Sequence, residues 1–300
     1  MGDKEKRLII IDGNSLVHRA YHALPPLTTK KGELINAVYG FLLVFLRALR
    51  ELSPDFIAAT FDFPATNFRH EKFKGYKATR PKAPEELFSQ IPKVKEILNA
   101  FGIPIFEKEG FEADDTISTL AKEAARKQVF PPLETIIVSG DLDTLQLVDK
   151  KTKAYILRKG VKDIVLYDEN LVKEKYQGLE PGQLVDFRAL RGDPSDNIPG
   201  VPGVGEKTAI ALLLKFGSLE NLYQELEEKT EKAKEISPKT RELLINFKEQ
   251  AFLSKELAET QKNVPLDFNL QECLWGDYDK EKVIKTFQEF EFYSLINRLP

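Results

Sequence analysis

The apolar positions of this chain change period several times before residue 160, and each change marks an element. Leu8–Asp12 (LIIID) is a short, solidly apolar run closed by Gly13, the pattern of a buried strand. Asn36–Leu52 places Val38, Leu42, Phe45 and Leu49 on one stripe at helical spacing. Phe56–Asp62 (FIAATFD) predicts a strand, Leu87–Phe101 a helix and Pro104–Phe106 a brief strand. Glu112–Lys127 predicts a helix, Thr135–Ser139 (TIIVS) a strand and Ala154–Leu157 another. Such alternation implies an α/β fold: a mostly parallel central sheet with helices on both faces. From about Leu171 the pattern turns to helices and turns: Leu171–Tyr176, Gln183–Arg191, a Gly/Pro-rich turn, Thr208–Phe216 and Leu219–Leu226. Glu227–Glu235 is nearly all charged and reads as a solvated helix or loop, whereas Tyr278–Leu295 is amphipathic and should pack back on the body. The division expected is an α/β core over 1–175, with a basic insertion at 63–86, and an all-helical part over 176–300.

Composition excludes more than it assigns. The 42% hydrophobic and 30% charged residues are those of a globular protein, and 300 residues hold one large domain or two smaller ones. The longest apolar run, Phe41–Leu46, is far too short to span a bilayer. The charged N-terminus MGDKEKR has no signal-peptide core, so a cytoplasmic location is expected. Cys273 is the single cysteine, and His18, His22 and His70 are the three histidines. An internal disulfide and a multi-cysteine zinc site are therefore excluded, three histidines do not suggest a histidine-rich centre, and a bound metal is expected to take oxygen ligands.

Carboxylates stand where strands end or helices begin. Asp12 closes the first strand and Asp62 the second; Glu112, Asp114 and Asp115 open a helix in GFEADD; Asp141 and Asp143 follow TIIVSG. GDPSD adds Asp193 and Asp196 from the helical part. In a parallel α/β sheet the carboxyl ends of the strands share the edge where such folds place their sites. So many carboxylates cannot stay ionised together without cations, and hard oxygens suit Mg²⁺ or Mn²⁺. Two such ions form a clamp for in-line phosphodiester hydrolysis. For each residue alone the plainer reading is a turn former or helix N-cap. The net charge of −3 does not suggest a nucleic-acid binder. Setting the nine carboxylates aside leaves 38 acidic residues against 44 basic, so the bulk charge decides nothing.

Two further segments carry chemistry. Residues 64–84 hold Arg69, Lys72, Lys74, Lys77, Arg80 and Lys82 against one acid, Glu71, with Phe68, Phe73 and Tyr76 interleaved. Mixed cations and rings suit a single-stranded nucleic acid, although a solvated loop has the same composition. In DNIPGVPGVGEKTAIALLLKF, Gly203 and Gly205 allow close backbone approach, and the amides of Gly203, Val204, Gly205, Lys207 and Thr208 lead into a helix. With the Lys207 charge alongside, this helix-hairpin-helix pattern (about 190–216) can hold a phosphate without reading sequence.

In this order the segments IDGNSLVHRAYHALPPLT, FRHEKFKGYKATRP, GFEADDTISTLA, SGDLDTLQLV and RGDPSDNIPGVPGVGEKTA resemble the 5′-nuclease (5′→3′ exonuclease) domains of bacterial DNA polymerase I, in the flap endonuclease superfamily. The resemblance spans Leu8 to about Phe216. It implies a two-metal nuclease that removes 5′ flaps and RNA primers in replication and repair, with Mg²⁺ or Mn²⁺ as cofactor and a monovalent cation at the hairpin. It carries the metal-ligand role onto Asp12, Asp62, Glu112, Asp114, Asp115, Asp141, Asp143, Asp193 and Asp196. Asp12, Asp62 and Asp114 fall to a first site; Asp141, Asp143 and Asp196 fall to a second. It makes 63–86 an arch whose Lys77 and Arg80 meet the scissile phosphate, with Tyr76 as stacking neighbour and Arg19 and Arg69 as further phosphate contacts. Leu142 departs from the family, which often has lysine there. The implied partners are branched or 5′-flap DNA, RNA-primer/DNA junctions and a linked polymerase body, at the bacterial nucleoid and with no membrane. A free-standing nuclease and one domain of a longer polymerase both fit a chain ending at NRLP. A toxin-type acidic α/β ribonuclease would need neither hairpin nor arch, and an inactive DNA-structure binder would be expected to lack carboxylates.

Overall fold

The computed structural model describes residues 5–127 and 129–300; the first four residues of the charged N-terminus lie outside them. Two compact units emerge, neither continuous in sequence. The first joins residues up to Ala65, Lys82–Asp168 and Gln261–Pro300; the second joins Thr66–Pro81 to Glu169–Thr260.

The first unit is built on six strands: β1 (Lys6–Asp12), β2 (Phe56–Thr60), β3 (Ile105–Phe106), β4 (Leu133–Ser139), β5 (Thr152–Lys159) and β6 (Asp163–Tyr167). They lie in the order β3-β2-β1-β4-β5-β6. Every pairing is parallel except β5–β6, an antiparallel edge the sequence pattern did not separate from β5. The two-residue period of β1 sorts its side chains to opposite faces. Ile9 and Ile11 pack into the core that contains the Asn36–Leu52 and Ile91–Ala100 helices. Leu8 and Ile10 pack with Ile117, Leu120 and Ala124 of the Ala113–Arg126 helix. The helix predicted over Leu87–Phe101 is interrupted: Glu85–Phe88 and Ile91–Ala100 are separate, with Pro92 in the first turn of the second. At the break, buried Gln90 accepts hydrogen bonds from Ala37 N–H at 2.8 Å and Val38 N–H at 3.3 Å, capping the Asn36–Leu52 helix. The C-terminal stretch belongs to this unit, as Phe287, Phe292 and Leu295 sit in the first core and Leu270 and Cys273 in the second.

The second unit is helical, with Leu184–Arg191, Glu206–Phe216, Leu219–Glu228, Pro238–Asn246 and Lys248–Ala258 as its longer helices. The units divide between Asp168 and Glu169, a few residues before the expected boundary at 175–176, and residues 66–81 of the basic insertion group with the helical unit. Side-chain burial gives the reason. Tyr76 and Phe73 pack with Val185, Ile198, Leu257 and Ala258, and Lys72 pairs with Glu256 at 2.5 Å.

Candidate functional site

The carboxylate edge of the first unit follows from strand order. β2, β1 and β4 are parallel neighbours, so the residues leaving their carboxyl ends leave side by side. Asp12 pairs with Thr60 across β1–β2, and Ile11 pairs with Val138 across β1–β4. Asp62 and Asp141 therefore emerge on either flank of Asp12.

Hydroxyl and amide groups tie these carboxylates together. Ser139 Oγ donates to Asp12 Oδ2 at 2.6 Å and accepts from Asp141 N–H at 2.9 Å. Ser15 Oγ lies 3.0 Å from Ser139 Oγ and accepts from Gly140 N–H at 2.9 Å. On the other flank, Asn14 Nδ2 donates to Asp62 Oδ2 at 2.7 Å, and Ala113 N–H donates to Asp62 Oδ1 at 2.8 Å. That second bond brings Asp62 to the start of the Ala113–Arg126 helix, beside Glu112, Asp114 and Asp115. Ser15, Ser139 and Asn14 were not singled out from the sequence. A serine or asparagine beside an aspartate has no spacing of its own to reveal it.

The plainer readings of several aspartates also hold. Asp12 is the N-cap of the Gly13–Ala23 helix, accepting from Ser15 N–H at 3.1 Å. Asp141 caps the 3₁₀ turn Leu142–Leu147 through Asp143 N–H at 2.8 Å. Glu112 and Asp115 form a reciprocal capping box. Asp115 accepts from Glu112 N–H at 3.1 Å through Oδ2 and from Gln261 N–H at 2.8 Å through Oδ1, so backbone donors hold both oxygens. A capping aspartate keeps lone pairs for a cation, and the two roles are compatible.

Asp12 is only 3% exposed, and burial pushes its carboxyl up to about 6. Hydrogen bonds from Ser139 and Ser15 pull it back, and the Asp141 charge adds a smaller push upward. Burial rather than mutual repulsion thus leads, contrary to the order argued from sequence. Among the described residues, no three His, Cys, Asp or Glu side chains are grouped so as to hold a metal ion. The edge supplies hard oxygen donors on adjacent strand ends without gathering them onto one point.

Asp193 and Asp196 belong to the second unit, in a turn closed by the Asp193–Ile198 bridge. Asp193 Oδ1 accepts from Ser195 N–H at 2.9 Å and Ser195 Oγ at 2.6 Å, and its Oδ2 lies 3.7 Å from Arg188 Nε. Asp196 accepts from Tyr76 Oη at 3.2 Å and from the Arg80 guanidinium, with Lys77 Nζ 3.9 Å away. The structure thus brings Tyr76, Lys77, Arg80 and Asp196 together.

Two phosphate or stacking expectations need correction. Arg69 is 2% exposed, and its guanidinium donates to Leu257 O at 3.0 Å and Glu259 O at 2.9 Å. A buried guanidinium on the last carbonyls of the Lys248–Ala258 helix is a structural cap, not a phosphate contact. The Tyr76 ring is buried among Val185, Ile198 and Leu257, leaving no face for a base. Gly205 is extended (φ −87°, ψ 179°) and is the N-cap residue of the Glu206–Phe216 helix, whereas Gly203 has φ +80°. Arg19 donates to Gly140 O at 2.7 Å, beside the carboxylate edge. Lys207 is exposed in the first turn of its helix and Thr208 is half-buried, while the Val204 side chain is buried. Leu142 is partly exposed on the turn between Asp141 and Asp143.

Residues 7–177 match the family model described as 5′-3′ exonuclease, N-terminal resolvase-like domain, and residues 179–281 match 5′-3′ exonuclease, C-terminal SAM fold. DNA polymerase I of Bacillus subtilis (strain 168) is 44% identical over 296 residues, covering 99% of this chain and 32% of that protein. DNA polymerase I of Chloroflexus aurantiacus is 41% identical over 301 residues, covering 98% and 31%. The chain therefore spans about a third of the length of these relatives. Among solved structures, the T5 D15 protein co-crystallised with metal ions aligns with a TM-score of 0.69 at 18% identity, covering 98% of this chain and all of that one. The catalytic core of Rad2 in complex with DNA substrate aligns at 0.61 and 17% identity, covering 99% of this chain and 93% of that one. At such identities the likeness is one of fold.

Proposed function

The chain belongs to the 5′-3′ exonuclease family, and on that premise we propose that it cleaves 5′ flaps and 5′ ends of branched DNA, including RNA-primer junctions, in replication and repair. The observation that carries this reading is the edge where three parallel neighbouring strands deliver Asp12, Asp62 and Asp141 beside the Glu112–Asp115 helix start. Its donors are all hard oxygens, which fit Mg²⁺ with Mn²⁺ as substitute. Asp12, Asp62 and Asp114 would hold a first cation and Asp141 and Asp143 a second, with Glu112 and Asp115 in support. When bound, two such ions lower the pKa of an attacking water and stabilise the leaving oxygen.

The protein's own groups do the rest. Ser139 and Asn14 orient Asp12 and Asp62. Lys77 and Arg80 neutralise charge on the scissile phosphate, and Arg19 adds a phosphate contact. The hairpin at Gly203–Thr208, led by Lys207 and able to take a monovalent cation, grips a duplex phosphate. Polymerase activity in a longer protein, and work at the bacterial nucleoid, complete the proposal. No helix among the described residues is long and apolar enough to cross a membrane.

The test is a labelled 5′-flap duplex with and without Mg²⁺. Cleavage should require the cation, stop on chelation, and vanish in Asp141→Ala with flap binding kept within a few-fold. Lys77→Ala should slow single-turnover cleavage by roughly 10²–10³, as loss of one preorganised charge does. Lys74→Ala should change affinity and salt dependence instead. Near-normal turnover of Asp141→Ala at millimolar Mg²⁺ would refute the metal-edge mechanism.

A further inference from the structure

After the Phe68–Lys72 helix the basic segment runs through consecutive turns. They are closed by Tyr76 N–H to Phe73 O at 2.9 Å, Ala78 N–H to Gly75 O at 3.1 Å and Arg80 N–H to Lys77 O at 3.1 Å. Lys77 sits at φ +54°, a left-handed conformation that a β-carbon disfavours. Such a residue keeps its conformation only where its surroundings over-determine it.

The surroundings are the 193–198 turn. Lys77 N–H donates to Asp196 O at 2.9 Å, Asn197 Nδ2 to Gly75 O at 2.6 Å and Arg80 Nε to Ser195 O at 3.1 Å. The Asp196 carboxylate, 6% exposed, takes the Tyr76 hydroxyl and the Arg80 guanidinium and faces Lys77 Nζ. The turn is itself braced, with Asp193 N–H to Ile198 O at 2.9 Å and Ile198 N–H to Asp193 O at 2.8 Å. An exposed ion pair would fix little. A buried carboxylate with two hydrogen-bond donors and a facing ammonium, reinforced by three bonds to main-chain carbonyls, fixes both the backbone and the charges of the segment.

We propose that Asp196 is a positioning residue for Lys77 and Arg80: the 193–198 turn is the mount that sets the two cations of the basic segment at a common point. The catalytic meaning of this mount rests on the nuclease reading; the mount itself does not.

The experiment uses the full chain in chelator, without DNA, and follows trypsin cleavage site by site. Asp196→Asn keeps the shape and removes the charge. It should speed cleavage after Lys74 and Lys77, the cleavable sites flanking the Gly75 and Tyr76 contacts (Arg80 precedes Pro81 and is not cut), about tenfold or more, as loss of charge-assisted bonds raises local opening, with cleavage after Lys215 and Lys232 unchanged. Asn197→Gly tolerates the left-handed backbone at this position (φ +56°) and removes the bond to Gly75. It should loosen the same sites by a smaller factor. Cleavage after Lys74 and Lys77 at the unsubstituted rate in Asp196→Asn overturns the proposal. So does a uniform rise across residues 169–260, which marks a general structural role. In the flap assay, Asp196→Asn and Lys77→Ala should be clearly non-additive, and additive losses count against the mount. A protein that fails to cut flaps with Mg²⁺ while keeping the trypsin result refutes the nuclease reading alone.

Discussion

Asp12 ends a strand and caps a helix, as an aspartate in its place is expected to do, yet it is also buried against Ser139 and Ser15. Its burial has a measurable cost. With its carboxyl raised from 3.8 to about 6, the folded state binds its proton more tightly than the unfolded chain does. Stability of the cation-free protein should therefore fall as pH rises through that window and stay low above it. Asp12→Asn keeps an N-cap and removes the charge. In chelator it should stabilise the protein at pH 7 by up to a few kcal/mol, an advantage that shrinks below pH 4. Urea unfolding at the two pH values measures it, and an equal shift at both would mean the ionised carboxylate is not the source. Ser139→Ala should weaken divalent-cation binding by about 10–100-fold, the usual loss when a ligand loses its orienting partner. Titration calorimetry decides this, and unchanged affinity would make Ser139 a bystander.

Elements were legible where their period was long. The Asn36–Leu52 helix was predicted residue for residue, and β1, β2 and β4 to within two residues at each end. The Gly13–Ala23 helix was missed because it follows β1 without a linker. Pro238–Asn246 and Lys248–Ala258 were missed because charged residues interrupt their apolar stripes. The glycine turn was found, but the glycines that matter most for its folding were not. Gly200 has φ +62°, and a β-carbon there would lie 2.2 Å from Gly192 N, so two backbones meet where no side chain fits. That contact depends on which strands of backbone the turn brings together, which spacing alone does not tell. Gly200→Ala should cost at least about 2 kcal/mol from strain and collision together. Gly205→Ser, in extended backbone with open space around the new β-carbon, should change stability by only a few tenths of a kcal/mol. If Gly205→Ser nevertheless weakens duplex binding, the amide edge at this helix start meets phosphate. Denaturation midpoints and a duplex titration on the same two variants separate folding from binding.

At the scale of the whole chain, the sequence suggested one cut and the structure makes units that each draw on separate stretches. The basic insertion gave no sign of grouping with the helical unit, because its aromatic residues read equally well as base-stacking rings; only their packing shows Tyr76 and Phe73 to be core. The amphipathic C-terminal stretch was read more accurately, since a stripe that recurs at helical spacing must cover something apolar. It covers the α/β core: Phe287 is fully buried there, against Phe101 at 6.1 Å and Phe292 at 6.4 Å between ring centroids. Trp275, the single tryptophan, stacks on Tyr278 at 5.3 Å and meets Phe101 at 5.9 Å, so its fluorescence reports on the same core. If residues 261–300 are part of that core rather than an appendage, Phe287→Ala should destabilise the unit by about 3–5 kcal/mol, the cost of emptying a buried aromatic site. The urea transition seen through Trp275 should move down accordingly, and flap cleavage should be lost only where the variant is partly unfolded. A midpoint within about 0.5 kcal/mol of the parent, as for a surface substitution, would mean that the C-terminal helices rest on the sheet without holding it together.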